Sequence, residues 1–209
     1  MSKRYVGPVM MLIGISAVVA GLGLSGYNLW DNHRAGIRSD ALSDAIVRYR
    51  KASEITAISK TPVTPLKAPS NLDRELPVLE LDDYRYIGTV SIPAIDVTLP
   101  VQEDWSLARL KTSPCRYMGS PYRGDLIICA HNYAAHFGRL KDLLPGDEVF
   151  FTDVEGNEFN YTVVELETLA GTAVEEMVSG TWDLTLFTCT LGGRMRVTVR
   201  CGLHVNDET

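Results

Sequence analysis

The hydrophobic pattern of the chain begins with an apolar run that carries no charge from Tyr5 to Trp30 and directly follows Lys3 and Arg4. Such a run exceeds the roughly 20 apolar residues that cross a bilayer as a helix. A cleaved signal peptide is the alternative, but its apolar region usually has only about 7–15 residues. Tyr27 and Trp30 are placed like interfacial aromatic residues, and the basic residues before the run favour a cytoplasmic N-terminus. We therefore predict a transmembrane anchor over residues 1–30 that leaves the bulk of the chain outside the cell.

The next segment is polar, with apolar residues spaced as on one face of a helix. Leu42, Ile46 and Tyr49 stand at i, i+4 and i+7, which predicts a juxtamembrane helical stalk over residues 31–60. The stretch "TPVTPLKAPSNLDRELP" follows, and its four prolines break any regular element. It predicts an extended linker over residues 61–79.

From residue 80 to residue 209 the pattern changes to short runs rich in β-branched and aromatic residues, separated by Gly, Pro, Asp and Asn. The stretch "YRYIGTVSIPAIDVTLPV" predicts two strands around a turn, and "DLIICA", "EVFFTD", "EFNYTVVELET", "DLTLFTC" and "RMRVTVRCGLHV" predict further strands. One helix is expected within this region, over "DWSLARLKTSP". Many short strands indicate a mostly β domain, either a closed antiparallel barrel or a sandwich.

Composition narrows the possible functions. The net charge of −6 and the absence of a Lys/Arg cluster argue against nucleic-acid binding. The four cysteines form no CxxC pair, and the histidines lack zinc-ligand spacing, so we expect no metal site. For any one cysteine, the default interpretation is a reduced thiol packed as a small hydrophobic residue.

Strand parity separates Cys189 from that default. In residues 184–189, alternate positions share a face, so Cys189 lies opposite the face of Leu184 and Leu186. In the following strand, positions 195, 197, 199 and 201 are apolar, whereas 194, 196 and 200 are arginines on the other face. If the Leu and Val faces form the core, a thiol at a strand end lies beside arginines on the outer face. This arrangement suits a nucleophile, because a nearby cation raises the thiolate fraction.

A thiol nucleophile also needs a base or an ion-pair partner. His131 and His136 both follow the apolar run "DLIICA", whereas His33 adjoins the apolar N-terminal run and His204 is near the C-terminus. His131 is the better candidate, because the end of a strand holds a side chain more rigidly than a loop does. A single histidine at such a position is more often structural. Here, however, three predicted elements each end in a group that such catalysis needs: a thiol, an imidazole and a guanidinium. This combination favours the catalytic interpretation.

These stretches resemble the sortases, the cell-wall transpeptidases of Gram-positive bacteria. "TLFTC" followed by "RVTVR" is similar to the TLxTC motif and arginine strand of that family, and "CAHN…HFGRL" is similar to its histidine segment. "YIGTVSIPAIDVTLPV" resembles its opening strands, and the likeness covers roughly residues 84–203. Three motifs in order behind an N-terminal anchor make a specific signal.

The resemblance implies an eight-stranded β-barrel of the sortase type with short helices. It also implies Cys189 as the nucleophile, His131 as the acid and base, and Arg196 as the stabiliser of the oxyanion or substrate. Arg194 has the same facing as Arg196 and is the alternative. Thr188, Arg194 and Asn132, which flank these positions, are the candidates for substrate binding.

The implied activity is cleavage of an LPXTG-like sorting signal through a thioacyl-enzyme, without a cofactor. The acyl group then passes to an amine, either on a lipid-linked peptidoglycan precursor or on a pilin lysine. Two alternatives stay open: a cysteine peptidase that hydrolyses the same acyl-enzyme, and a non-catalytic membrane-tethered β-barrel binding module. The chain departs from the family where Ala130, preceded by Cys129, replaces the common glycine before the histidine. The stretch "HNYAAHFGRL" leans toward the class B or class D style.

Overall fold

A computed structural model of the chain describes residues 6–57, 74–81 and 83–204. Two compact units are present, residues 1–34 and residues 35–209. Helix α1 spans Val6–Ala57, and its segment Met10–Trp30 is long and apolar enough to cross a membrane. At the end of that segment the rings of Tyr27 and Trp30 lie 6.2 Å apart.

The second unit consists mainly of β-strands. The strands are β1 Leu79–Leu81, β2 Tyr84–Ile92, β3 Val97–Gln102, β4 Cys115–Met118, β5 Leu126–Ala130, β6 Glu148–Asp153, β7 Glu158–Ala170, β8 Leu184–Cys189 and β9 Met195–Leu203. Helix α2, Val174–Val178, lies between β7 and β8. Single 3₁₀ turns occur at Pro93–Ile95, Arg109–Lys111 and Leu140–Asp142.

The strands form a closed barrel. Their order is β2-β3-β4-β5-β8-β9-β7-β6, and β6 pairs back with β2, so these eight strands leave no open edge between them. Strand β1 extends the sheet outside the barrel as the antiparallel neighbour of β2. The predicted mostly β fold and its closed eight-stranded barrel are confirmed. The barrel differs from the expected antiparallel one in two pairings, because β3 pairs with β4 and β5 pairs with β8 in parallel.

Alternation along the strands fills the barrel interior with apolar side chains. The core includes residues from every barrel strand except β4, among them Val90, Leu99, Ile128, Phe151, Tyr161, Leu186 and Val199. Leu184, Leu186, Val199 and Cys201 all belong to it, so the face assigned to the core from strand parity is correct. Cys189 consequently lies on the outer face of the barrel.

The helix expected over "DWSLARLKTSP" is reduced to the 3₁₀ turn Arg109–Lys111. The buried side-chain amide of Gln102 donates to the carbonyl of Arg109 at 3.0 Å and to that of Ser113 at 3.4 Å. These carbonyls are therefore held by β3, and a helix this short has little intrinsic stability.

Residues before the predicted linker and at its C-terminal end pack against strands. Ile46 of α1 is fully buried in a cluster with Leu79, Tyr86 and Val154. Leu76 and Val78 pack against the barrel core. Residues 58–60 of the predicted stalk and 61–73 of the predicted linker lie outside the described residues.

Candidate active site

Cys189 is the last residue of β8, and the antiparallel ladder places Arg196 of β9 directly opposite it. Cys189 is partly exposed, whereas Cys115, Cys129 and Cys201 are buried. Side chains directly opposite each other across a ladder lie on the same face with their Cβ atoms about 5 Å apart. The fold therefore places a partly exposed cysteine and an arginine on one face of two adjacent strands.

His131 reaches the same place from the neighbouring strand. It follows β5, whose last residue Ala130 pairs with Thr188 in the parallel ladder between β5 and β8. The Thr188 hydroxyl donates to the Ala130 carbonyl at 2.9 Å and so joins the two strand ends. The imidazole of His131 packs against Tyr133, with 4.9 Å between the ring centroids. Parallel strands end at the same edge, which is why a histidine far away in sequence lies beside Cys189.

Arg196 is anchored by the turn that connects β8 to β9. Its Nη1 donates to the carbonyls of Gly193 at 2.9 Å and Met195 at 3.1 Å. Gly171 passes close by: its N–H donates to the Arg194 carbonyl at 2.8 Å, and a Cβ there would lie 3.3 Å from Arg196 Nη1. The backbone thus leaves little space around this guanidinium.

Cys189, His131 and Arg196 all line one cavity of about 240 Å³. Most of its other walls are apolar. They comprise Trp105, Leu107, Leu110, Tyr117, Cys129, Ala130, Ala170, Gly171, Ala173, Val174, Met177 and Phe187. The rings of Trp105 and Tyr117 lie 5.7 Å apart, and Tyr117 meets Phe187 edge to face at 5.4 Å. A mostly apolar cavity with a few polar groups in its lining is the usual composition of a ligand-binding site.

Burial separates the other cysteines from Cys189. Burial raises the pKa of Cys115 and of Cys201 to about 12, and it also raises the pKa of Cys129. Cys129 borders the cavity, but its thiol donates to the Cys115 carbonyl at 3.5 Å. Within the described ranges, no group of three or more His, Cys, Asp or Glu side chains could hold a metal ion.

The three residues predicted to bind substrate are placed differently from the catalytic candidates. Thr188 is buried with its hydroxyl bonded to Ala130, Arg194 is exposed ahead of β9, and Asn132 is half-buried after His131. Of the described residues that line the cavity, none is one of these three. Their roles in substrate binding stay predictions. The hydrogen bond of Thr188 to Ala130 suits a role in aligning the ends of β5 and β8.

Sequence reasoning missed the aromatic wall of Trp105 and Tyr117, the ring of Tyr133 and the wall formed by α2. Only the stretch "WSL" carried a signal that could have been recognised, because it places two large apolar residues in a polar segment. Both of them, Trp105 and Leu107, are exposed and line the cavity.

The sequence matches the family model "Sortase domain" over residues 90–204. The chain belongs to the sortase family. None of the curated proteins compared with the sequence matches it. Membership supports a sortase-type cysteine transpeptidase as the class of enzyme.

Solved sortases share the fold. Sortase C1 from Streptococcus agalactiae has a TM-score of 0.54 at 24% identity, covering 78% of this chain and 90% of that one. Sortase A from Corynebacterium diphtheriae has a TM-score of 0.53 at 20% identity, with coverage of 91% and 98%. A sortase D5 transpeptidase from Clostridium perfringens has a TM-score of 0.50 at 22% identity, with coverage of 57% and 79%. At these identities the likeness shows the fold alone, and the structures come from three different sortase classes.

Proposed function

We propose that this sortase is a membrane-anchored transpeptidase that cleaves an LPXTG-like sorting signal and transfers the acyl part to an amine. The observation that carries the proposal is that Cys189, His131 and Arg196 line the same largely apolar cavity. A thiol, an acid/base and a cation are the groups that acyl transfer by a cysteine nucleophile needs.

In the first half-reaction the Cys189 thiolate attacks the carbonyl carbon of the scissile peptide bond. The Sγ–C bond forms and the carbonyl oxygen becomes an oxyanion, which the guanidinium of Arg196 stabilises. When the C–N bond breaks, protonated His131 donates a proton to the leaving amine. The product is a thioester on Cys189 and a released C-terminal fragment.

In the second half-reaction an incoming amine attacks the thioester carbonyl. Neutral His131 accepts the proton of that amine, a second oxyanion forms beside Arg196, and the C–S bond breaks to restore the thiolate. The amine is that of a lipid-linked peptidoglycan precursor or of a pilin lysine. The balance of this cycle needs no redox reagent and no cofactor.

The N-terminal helix supports a single-pass location in the cell membrane. Met10–Trp30 has 21 residues, and at 1.5 Å per residue this corresponds to roughly the 30 Å of a bilayer core. Lys3 and Arg4 before it favour a cytoplasmic N-terminus, with the catalytic unit on the outer side. Arg34 lies over the Trp30 ring at 5.1 Å, as suits the interface with water.

The proposal is tested by incubating residues 35–209 with a panel of LPXTG-variant peptides, with and without an amine acceptor, and identifying the products by mass spectrometry. Formation of the peptide–amine adduct supports the transpeptidase. Hydrolysed product alone, at every acceptor concentration, favours the peptidase. An intact peptide panel, together with an unreactive Cys189, favours the binding module.

A further inference from the structure

Arg200 is an arginine buried almost completely on the outer face of β9, with 3% of its surface exposed. All three of its nitrogens donate. Nε donates to Glu167 Oε1 at 2.7 Å, Nη1 to the Met177 carbonyl at 2.8 Å and to Thr185 Oγ1 at 3.1 Å, and Nη2 to the Glu176 carbonyl at 2.7 Å. A buried charge is costly unless it is fully paired. Four hydrogen bonds to a side chain this deeply buried indicate a site built for arginine.

Two of those acceptors are backbone carbonyls of α2. The last carbonyls of a helix have no partner inside it, and a cation near this end is favourable. The guanidinium of Arg200 therefore caps α2 and attaches its backbone to the barrel. Arginine suits this position because its planar fork presents donors in several directions at once, which the single ammonium of lysine does not.

Besides the hydrogen bonds of Arg200, the described residues show few contacts between α2 and the barrel. Met177 is its buried residue, and the Met177 sulfur accepts from Thr198 Oγ1 at 3.8 Å. Val174, Glu175, Glu176 and Val178 are exposed. Yet Ala173, Val174 and Met177 form a wall of the cavity that contains Cys189. Arg200 therefore donates directly to the backbone of the helix that supplies this wall.

Arg200 is too far along β9 to act on the reacting carbonyl. It follows Arg196 by four residues, or about 13 Å of extended strand, and α2 covers its guanidinium. Any effect on the reaction must pass through α2.

We propose that Arg200 is a positioning residue for substrate binding: it preorders α2 as the wall against which the sorting signal binds. The inference rests on the proposed function. An ordered wall spares the substrate the entropic cost of ordering it on binding. Loss of Arg200 should therefore weaken peptide binding and leave the chemistry at Cys189 intact.

The experiment compares Arg200→Met, Arg200→Lys and Arg139→Met in the full chain. Arg139 is the control because its Nη1 also donates to a backbone carbonyl, that of Ile95 at 2.9 Å. Unlike Arg200 it is exposed, and it does not line the cleft in the described part of the chain. We expect Arg200→Met to raise KM for the sorting-signal peptide about tenfold or more, with kcat within about threefold of wild type. Arg200→Lys should give an intermediate KM, and Arg139→Met should leave KM unchanged.

Two further readouts do not depend on turnover. Hydrogen exchange of residues 172–180 should be faster in Arg200→Met. The rate of Cys189 alkylation by iodoacetamide should stay at the wild-type value, because this small reagent does not have to bind against α2 to reach the thiol. If Arg200→Met does not fold, Arg200→Lys decides by the same measurements.

The proposal is overturned by an unchanged KM, by an equal fall in kcat and in Cys189 alkylation, or by unchanged exchange over residues 172–180. If the wild-type chain cleaves no sorting-signal peptide, the proposed function fails. The exchange and alkylation results then still show whether Arg200 orders the wall.

Discussion

Burial divides the four cysteines into two kinds of thiol, and this difference can be measured directly. Desolvation raises the pKa of Cys115 and Cys201 to about 12 and also raises that of Cys129, so these three stay protonated at neutral pH. Cys189 is partly exposed beside Arg196. We predict that iodoacetamide at pH 7.5 modifies Cys189 alone in the folded protein and all four cysteines in guanidinium chloride.

The same difference predicts the effect of mutation. Cys189→Ala should abolish turnover and leave the circular dichroism spectrum unchanged, because the Cys189 side chain lies outside the core. Cys115→Ala should keep turnover, at a cost in unfolding free energy from the lost burial. An active Cys189→Ala enzyme, or labelling of a buried cysteine before Cys189, would contradict the assignment of the nucleophile.

The two arginines at the turn give a second prediction at the scale of single residues. Arg196 is level with Cys189 and is held by two carbonyls, whereas Arg194 is exposed before the strand begins. Preorganisation makes an oxyanion donor effective, and lysine loses the planar fork. We expect Arg196→Lys to lower kcat on the order of 10²-fold, and Arg194→Lys chiefly to alter KM. Steady-state kinetics of both variants under identical conditions decide the matter. A larger loss of kcat in Arg194→Lys would transfer the catalytic role to it.

At the scale of elements, strand parity was predictable and strand pairing was not. The alternation of Leu184, Leu186 and Val199 with Cys189 and Arg196 distinguishes core from outer face using local sequence alone. The parallel pairing of β5 with β8, which brings His131 beside Cys189, joins strands separated by more than fifty residues and has no local pattern; the sequence suggested it only through the family resemblance. Helix α2 is too short to show periodicity, so Arg200 resembled one more exposed arginine until the structure placed α2 over it.

Residues before position 80 pack against the strands, so we predict that they contribute to the stability of the folded unit. Ile46 is fully buried against Leu79, Tyr86 and Val154, so Ile46→Ala in residues 35–209 should lower the unfolding free energy by about 2 kcal/mol or more. Val47, 54% exposed on the same helix, is the control, and Val47→Ala should cost less than about 0.5 kcal/mol. Urea unfolding measures both changes.

The fragment 80–209 extends this test, because it also lacks Leu76 and Val78, which pack against the core. We expect it to fold with a lower unfolding free energy than residues 35–209. Equal stability of the two chains would show that the preceding segments add nothing to the fold.

At the scale of the whole molecule, we expect the N-terminal helix and the barrel unit to have separable tasks. The cleft lies within the second unit, so removing residues 1–34 should leave kcat/KM for a soluble sorting-signal peptide and a soluble amine within about twofold of the full chain.

A lipid-linked acceptor is different, because tethering enzyme and acceptor to one membrane raises their effective concentration. In proteoliposomes that contain the lipid-linked precursor, we expect the full chain to form product at least about tenfold faster than residues 35–209 at equal protein concentration. The full chain carrying Cys189→Ala controls for background transfer. Equal rates for the two chains would mean that the N-terminal helix contributes nothing to acceptor use, and a large loss with soluble substrates would place residues 1–34 in the fold of the catalytic unit.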